Sequence, residues 1–372
     1  MRSPLLALPL GLLPALAPGL ALAEVPRVMT DIPAVQSLVA QVMGDLGAPA
    51  ILLEQGGNAH NYQMKPSQAR ALQDADLVFW VGPGMTPWLA RAIEGVALNG
   101  TSVELIEAPG TLQRDFGGAV HSGAAHDDHA EGEHDHAAED DHDHDHAAEG
   151  EHDHAAEGEH DHAAEAAHDH DHAAEGEHDH AAEGEHDHAA EGEHDHVHTG
   201  LDPHAWLDPG NAGTWLGVIA GHLAAADPEN AATYTANAEA ARARIAALDA
   251  RLQAELAPVA DRPFVVFHDA YGYLAQHYGL TVAGAIALGD AAEPGAGHLA
   301  ELRADLAAKG VVCVFPEAQH DPKRVAILVE GTAVRVGDAL DPSGSSLSYG
   351  PDLYEGLMQG LAERLTGCLG AP

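Results

Sequence analysis

Short apolar runs alternate with stretches of helical period along most of the chain. Residues 25–30 read as a strand, and Val35, Leu38, Val39, Val42 and Met43 then recur on one helix face. A strand over 50–54 runs into the loop Gln55-Gly56-Gly57-Asn58-Ala59-His60, and Pro66-Ser67 opens a short helix. The strand over 77–81 stops at Gly82-Pro83-Gly84. A helix over 85–96 and a strand over 102–107 continue the series. Strand and helix in turn predict an α/β fold, a parallel sheet with helices on its faces.

The pattern lapses after Gly118 and resumes at Leu201. Asp208 is placed as a helix N-cap, with Pro209 at the first helical position. From Asp227-Pro228 a helix reaching about Leu256 has no internal Gly or Pro. Roughly thirty residues at 1.5 Å each span about 45 Å. That exceeds one lobe, so the segment reads as a rigid strut between two lobes, with a surface helix of one lobe as the plainer alternative. Beyond it, strands are expected over 264–267, 282–287, 311–315 and 333–336, and helices over 270–278, 299–308, 322–330 and 352–365. Leu299, Leu302 and Leu306 mark a buried helix face.

Where the pattern lapses, histidine alternates with acid, from about His126 to His198. The head His-Asp-His recurs at His152, His160, His178, His186 and His194, mostly followed by Ala-Ala-Glu-Gly-Glu. The tract holds 21 of the 29 histidines and 28 acids, and no Lys, Arg, Phe, Trp or Tyr. It cannot fold by burying apolar surface, so a disordered His/Asp/Glu-rich insertion is expected when metal is absent. A purification tag would be terminal and uninterrupted, and this tract is internal. Neutral imidazole is the commonest protein ligand for transition metals. Both rings of a His-Asp-His head fall on one side of an extended chain. His152 with His154, His160 with His162, His178 with His180, His186 with His188, and His194 with His196 are therefore candidate auxiliary metal ligands.

The tract accounts for 28 of the 43 net negative charges, which leaves −15 on the rest of the chain. This balance argues against nucleic acid or an anionic membrane as partner, and favours cations. Arg2, the apolar run from Leu5 to Leu20 and the small-residue site Ala21-Leu22-Ala23 read as a cleaved secretory leader. Pro4, Pro9, Pro14 and Pro18 break the run, so a spanning helix is not expected. With no Cys near the cleavage site, no lipid anchor is expected either. The mature chain is expected to be exported, soluble and monomeric. Its expected organisation is a leader (1–23), an N-terminal lobe (24–225) carrying the insertion at about 119–199, an interlobe helix (226–258) and a C-terminal lobe (259–372). Cys313 and Cys368 are the two cysteines. In an exported chain such a pair reads as one disulfide, with two buried thiols as the alternative.

In open parallel sheets, ligands bind beyond the carboxyl ends of strands. His60 lies in the loop after the second strand, His268 ends the strand over 264–267, and Asp338 follows the strand over 333–336. His204 sits in a Pro-flanked loop before a helix. Three neutral imidazoles with one carboxylate or water make a tetrahedral zinc set. Each residue also has a plainer use: a polar loop position for His60, a cap or core histidine for His268, a turn brace for His204, turn chemistry for Asp338 and for Asp341-Pro342. His222, His277, His298 and His320 are assigned to structure or surface. Three imidazoles and an open position also describe catalytic zinc, for which Asp269 or Glu317 would be the general base. A metal buffer without a transporter is a further alternative for such a set.

The runs His60-Asn61-Tyr62-Gln63-Met64-Lys65-Pro66-Ser67, Ala75-Asp76-Leu77-Val78-Phe79-Trp80-Val81-Gly82-Pro83, Asp202-Pro203-His204-Ala205-Trp206-Leu207-Asp208-Pro209 and Phe267-His268-Asp269-Ala270-Tyr271-Gly272-Tyr273 occur in that order. Cys313-Val314-Phe315-Pro316-Glu317, Gly331-Thr332-Ala333-Val334-Arg335, Leu340-Asp341-Pro342 and Cys368-Leu369 follow. In these runs the chain resembles the exported zinc-binding components of zinc ABC importers, the ZnuA-type family, over essentially all of 25–369 outside the tract. The resemblance implies two (β/α)4 lobes with parallel sheets joined by one long helix, and a metal site in the cleft between them. It implies His60, His204 and His268 as zinc ligands. Some relatives add a Glu immediately before the first ligand, where this chain has Ala59. The fourth place then falls to Asp338 or water. A periplasmic location, a membrane permease as transient partner, and no enzymatic activity follow from the same resemblance. His268, where manganese-type relatives carry a carboxylate, points to zinc. The tract is expected to serve as a weaker, auxiliary zinc store.

Overall fold

A computed structural model describes residues 25–117, 120–122, 200–287 and 295–371. The expected leader, the histidine tract and its candidate auxiliary ligands lie outside the described residues. The first sheet consists of β1 (Val28–Thr30), β2 (Ala50–Ile51), β3 (Leu77–Trp80) and β4 (Thr101–Glu104), all parallel, in the order β2-β1-β3-β4. β1 and β3 are buried along their whole length, which is why they read as unbroken apolar runs. α1 (Pro33–Met43), α2 (Pro66–Gln73) and α3 (Pro87–Gly95) join these strands, and each begins at a proline. Proline is suited there because the first turn of a helix has no use for its missing N–H.

β5 (Leu112–Arg114) and β6 (Val120–Ser122) form an antiparallel pair that the sequence pattern does not suggest. The chain re-enters at Gly200, whose carbonyl accepts from the Phe116 N–H, and Asp202 N–H donates to the Arg114 carbonyl. α4 (Pro209–Ala226) begins as expected, with the Asp208 side chain accepting from Gly210 N–H and Pro209 in the first turn. α5 (Ala231–Leu256) follows a short 3-10 turn at Pro228–Asn230. The predicted long helix is thus 26 residues, or about 39 Å.

The second sheet contains β7 (Phe264–His268), β8 (Val282–Ala287), β9 (Cys313–Val314) and β10 (Arg335–Val336), again all parallel, in the order β10-β9-β7-β8. α6 (Gly272–Tyr278), α7 (Ala296–Ala308), α8 (Lys323–Val329) and α9 (Leu353–Leu369) accompany it. Counted within its lobe, each sheet has the order 2-1-3-4. The strand order therefore reverses between β1 and β3 in one lobe and between β7 and β9 in the other. Such switch points are where open α/β sheets bind ligands.

Tyr234, Ala238, Ala241, Ile245, Leu248, Leu252 and Leu256 are the buried stripe of α5, spaced three and four apart. α5 packs on α1, α4 and α9, and one apolar core runs from Val28 through α5 to Leu369. Direct polar ties add to it. Ser37 Oγ and Gln41 Nε2 donate to the Pro351 carbonyl, and Arg244 bridges Gln41 (2.8 Å) and Glu355 (3.5 Å). The last helix therefore belongs to the inner layer shared by both lobes. Cys313 and Cys368 form a disulfide with a Cα separation of 6.4 Å, which fastens buried β9 to the end of α9. Among the described residues no helix is long and apolar enough to cross a membrane.

Candidate metal centre

Three loops bring the site together. The loop after β2 carries His60 and is held from several sides. Asn58 Oδ1 accepts from the His60 N–H at 2.9 Å, and Trp88 Nε1 donates to the Ala59 carbonyl at 2.6 Å. Further on, Gln68 accepts from Lys65 N–H and donates to the Leu52 carbonyl, so α2 begins where the loop must end.

His204 stands on a bend before a one-turn 3-10 segment, Ala205–Leu207, and is 1% exposed. Asp202, fully buried, accepts from both the His204 backbone N–H (3.0 Å) and its Nδ1 (2.8 Å). Its other oxygen takes Arg114 Nη1 at 2.6 Å. Arg114 in turn lies directly across Gly272, where a Cβ would collide with the guanidinium. A side chain at 272 would have to displace the guanidinium from Asp202. Trp206 Nε1 donates to the Pro342 carbonyl, and the Tyr354 hydroxyl donates to the Trp206 carbonyl, so the bend is fixed by the far lobe.

His268 is the last residue of β7, 7% exposed. Its Nδ1 donates to Glu317 at 2.6 Å, and Glu317 also accepts from the Tyr271 hydroxyl at 3.0 Å. Glu317 follows β9, the strand adjacent to β7, so it stands beside His268 at the switch point. Burial, and then the charge of Asp202, push the Asp269 carboxyl above its ordinary range. Burial and then Glu317 raise the Tyr271 phenol well above its own, so it stays a neutral donor.

The three rings meet. Their centroids are 5.6 Å apart for His60 and His204, 5.3 Å for His204 and His268, and 6.5 Å for His60 and His268. One nitrogen from each lies within 4.8 Å of the others. An ion 2.0–2.1 Å from each nitrogen requires about 3.3 Å between them, so small ring rotations bring the set onto zinc. In His204 and His268 the carboxylate holds Nδ1, which leaves Nε2 as the ligating atom and raises its basicity. The rings line a small pocket of about 20 Å³ walled by Met85, Trp206 and Pro342.

Asp338 is not brought into this group. It is exposed beyond β10, the edge strand, two strands away from β7. Asp338 is in neither group of potential metal ligands found among the described residues. Asp341 is buried, but Ser345 and Ser346 N–H groups occupy its carboxylate, in keeping with turn chemistry. The carboxylate that does reach the site is Glu317, which the sequence offers only as a general base. His320, which the sequence gives to structure or surface, also faces the cleft. The rule that singles out His60, a polar residue just past a strand, also fits Glu317.

The remaining histidines have other work. His222 makes an edge contact with Phe79, and His298 Nε2 bonds the Ala285 carbonyl. His277 bridges Asp208 (3.2 Å) and Asp249 (2.8 Å).

The family model described as ZnuA, zinc-uptake complex component A, periplasmic, matches residues 28–368. The "High-affinity zinc uptake system protein ZnuA" of Paracoccus denitrificans is 50% identical over 94% of this chain and 93% of its own length. The protein of the same name from Brucella abortus is 38% identical over 92% and 91%. A solved structure described as "Crystal structure of ZnuA" superposes with a TM-score of 0.63 at 20% identity, covering 93% of this chain and 99% of its own. By the extent of these matches, the chain belongs to the ZnuA family of zinc-uptake components.

Proposed function

We propose that this chain captures Zn²⁺ in the periplasm at His60, His204 and His268 and hands it to the permease of an ABC importer. Zinc is cargo here. The observation that carries the reading is the convergence of three imidazoles from three loops, two of them backed by buried carboxylates. Neutral imidazole suits zinc, and carboxylates behind the rings favour a dication while fixing their tautomers. Water takes the fourth place, because Asp338 faces solvent. Docking to the permease is transient and the protein acts as a monomer. The zinc form performs no hydrolysis: Glu317 is engaged with His268, and burial together with the charge of Asp202 favours the protonated form of Asp269. The chain is exported with a cleaved leader, and the His-Asp-His pairs of the tract, those starting at His152, His160, His178, His186 and His194 among them, act as a weaker store.

Replacing His60, His204 and His268 together with Ala abolishes the tightest zinc site in competition titrations against a chelator, with the far-ultraviolet circular dichroism unchanged. Asp338→Ala leaves that affinity unchanged. Tight binding retained by the triple variant would refute the ligand assignment, and weaker binding by Asp338→Ala would refute water as the fourth ligand.

A further inference from the structure

A second group of donors shares His268. One ligating atom each from His268, Glu317 and His320 lies within 4.8 Å of the others. His320 Nε2 is 3.7 Å from Glu317 Oε2. The His320 ring is stacked on Phe267, with centroids 4.1 Å apart and planes at 19°, and its centroid is 6.3 Å from that of His268. Its side chain is 24% exposed, whereas those of His204 and His268 are 2% and 9% exposed. His320 thus stands at the mouth of the cleft, and the stacking aims it.

Two nitrogens and one carboxylate oxygen make a serviceable site for a borderline first-row dication. The two groups have His268 in common, and two dications a few ångströms apart in a low-dielectric cleft repel strongly. The positions are therefore alternatives for one ion. We propose that His320, with Glu317 and His268, forms an outer transit position through which Zn²⁺ enters and leaves the three-histidine site. In the outer position Glu317 turns from His268 Nδ1 toward the ion. An ion passing inward exchanges His320 and Glu317 for His60 and His204 while keeping Nε2 of His268; Glu317 then returns to Nδ1. The ion never has to leave its ligands all at once. Such a stepping position speeds uptake and release together and leaves their ratio nearly unchanged. The inference rests on the zinc site proposed above.

The test uses the full-length chain loaded with a single equivalent of zinc, so that the tightest site is the one filled. His320→Phe keeps an aromatic ring on Phe267 and removes the donor nitrogens, and His320→Gln serves as a second variant. Stopped-flow transfer to a chromogenic chelator and uptake from a zinc buffer are both measured. Loss of one metal-shell contact is expected to slow both rates on the order of tenfold, with the dissociation constant moving by less than about twofold. Unchanged rates in either folded variant would overturn the proposal. So would a weakened dissociation constant with unchanged uptake, because His320 would then be a resting ligand. Failure of the underlying site reads differently: the unmodified protein itself would show no tight equivalent.

Discussion

Buried carboxylates organise the site at the level of single residues. Asp202 and Glu317 each hold an Nδ1, and each is itself held, by Arg114 and by Tyr271. The three imidazoles are legible in the sequence because histidine in a loop past a strand has few cheaper explanations. Glu317 is hidden by its ordinary setting after Pro316, and Asp338 attracts notice for a reason that strand order removes. His277 has a separate consequence. Its hydrogen bond to Asp208, with the charge of Asp208 and the bond to and charge of Asp249, raises its pKa from 6.5 to about 9 against the opposing effect of its burial. A raised folded-state value means that the bridge stabilises the fold fully below pH 6.5 and fades as the pH climbs through about 9. After allowance for partial exposure the effect is roughly 1–2 kcal/mol. Thermal unfolding between pH 6 and 10 is expected to show this loss in the native protein and not in His277→Gln. Parallel curves for the two would exclude it.

Among the elements, length and apolar content govern what is readable. Residues 282–287 match β8 in full, and α5 and the cap of α4 fall where the pattern places them. β9 keeps only Cys313 and Val314 of the five residues expected, because its neighbours β7 and β10 pair with it over two positions. α6 starts at Gly272 rather than 270, since the Ala270 N–H turns back to the His268 carbonyl. The β5–β6 pair escapes detection because Leu112-Gln113-Arg114 has no alternation and its partner lies past a turn. Strand order has no local signature at all, which is why sequence alone does not rank Glu317 above Asp338. The pairing of Cys313 with Cys368 is legible from number and compartment alone. It closes a loop of 55 residues. Removing it, as Cys313→Ala with Cys368→Ala, is expected to cost about 2–4 kcal/mol by the usual loop-closure scale. Denaturant unfolding measures the loss, while zinc affinity holds because neither sulfur lines the cleft. A midpoint equal to that of the native protein would show that the bond adds nothing.

Seen whole, the molecule is two sheets of the same strand order set on one shared inner layer. α5 and α9 make that layer continuous, and His268 ends β7 where the second sheet reverses its order. Ties such as Trp206 to Pro342 and Ser37 to Pro351 oppose wide opening of the lobes. Exchange of zinc is then left to loop and side-chain movement. The described chain breaks after Ser122 of β6 and resumes at Gly200, and β5, which pairs with β6, carries Arg114, whose guanidinium holds Asp202 and through it His204. On the proposed reading, a store tethered to the same chain raises the effective metal concentration available to the three-histidine site. Deleting 127–197 is expected to lower the number of zinc ions bound at saturation and to spare the tightest one. An unchanged stoichiometry by equilibrium dialysis would end the store.

The most direct measurement is anomalous diffraction at the zinc edge from crystals of the protein loaded with a single equivalent. The account predicts one peak about 2.0–2.1 Å from nitrogens of His60, His204 and His268, with a water completing a tetrahedron. A peak elsewhere, with those rings turned away from one another, would contradict it.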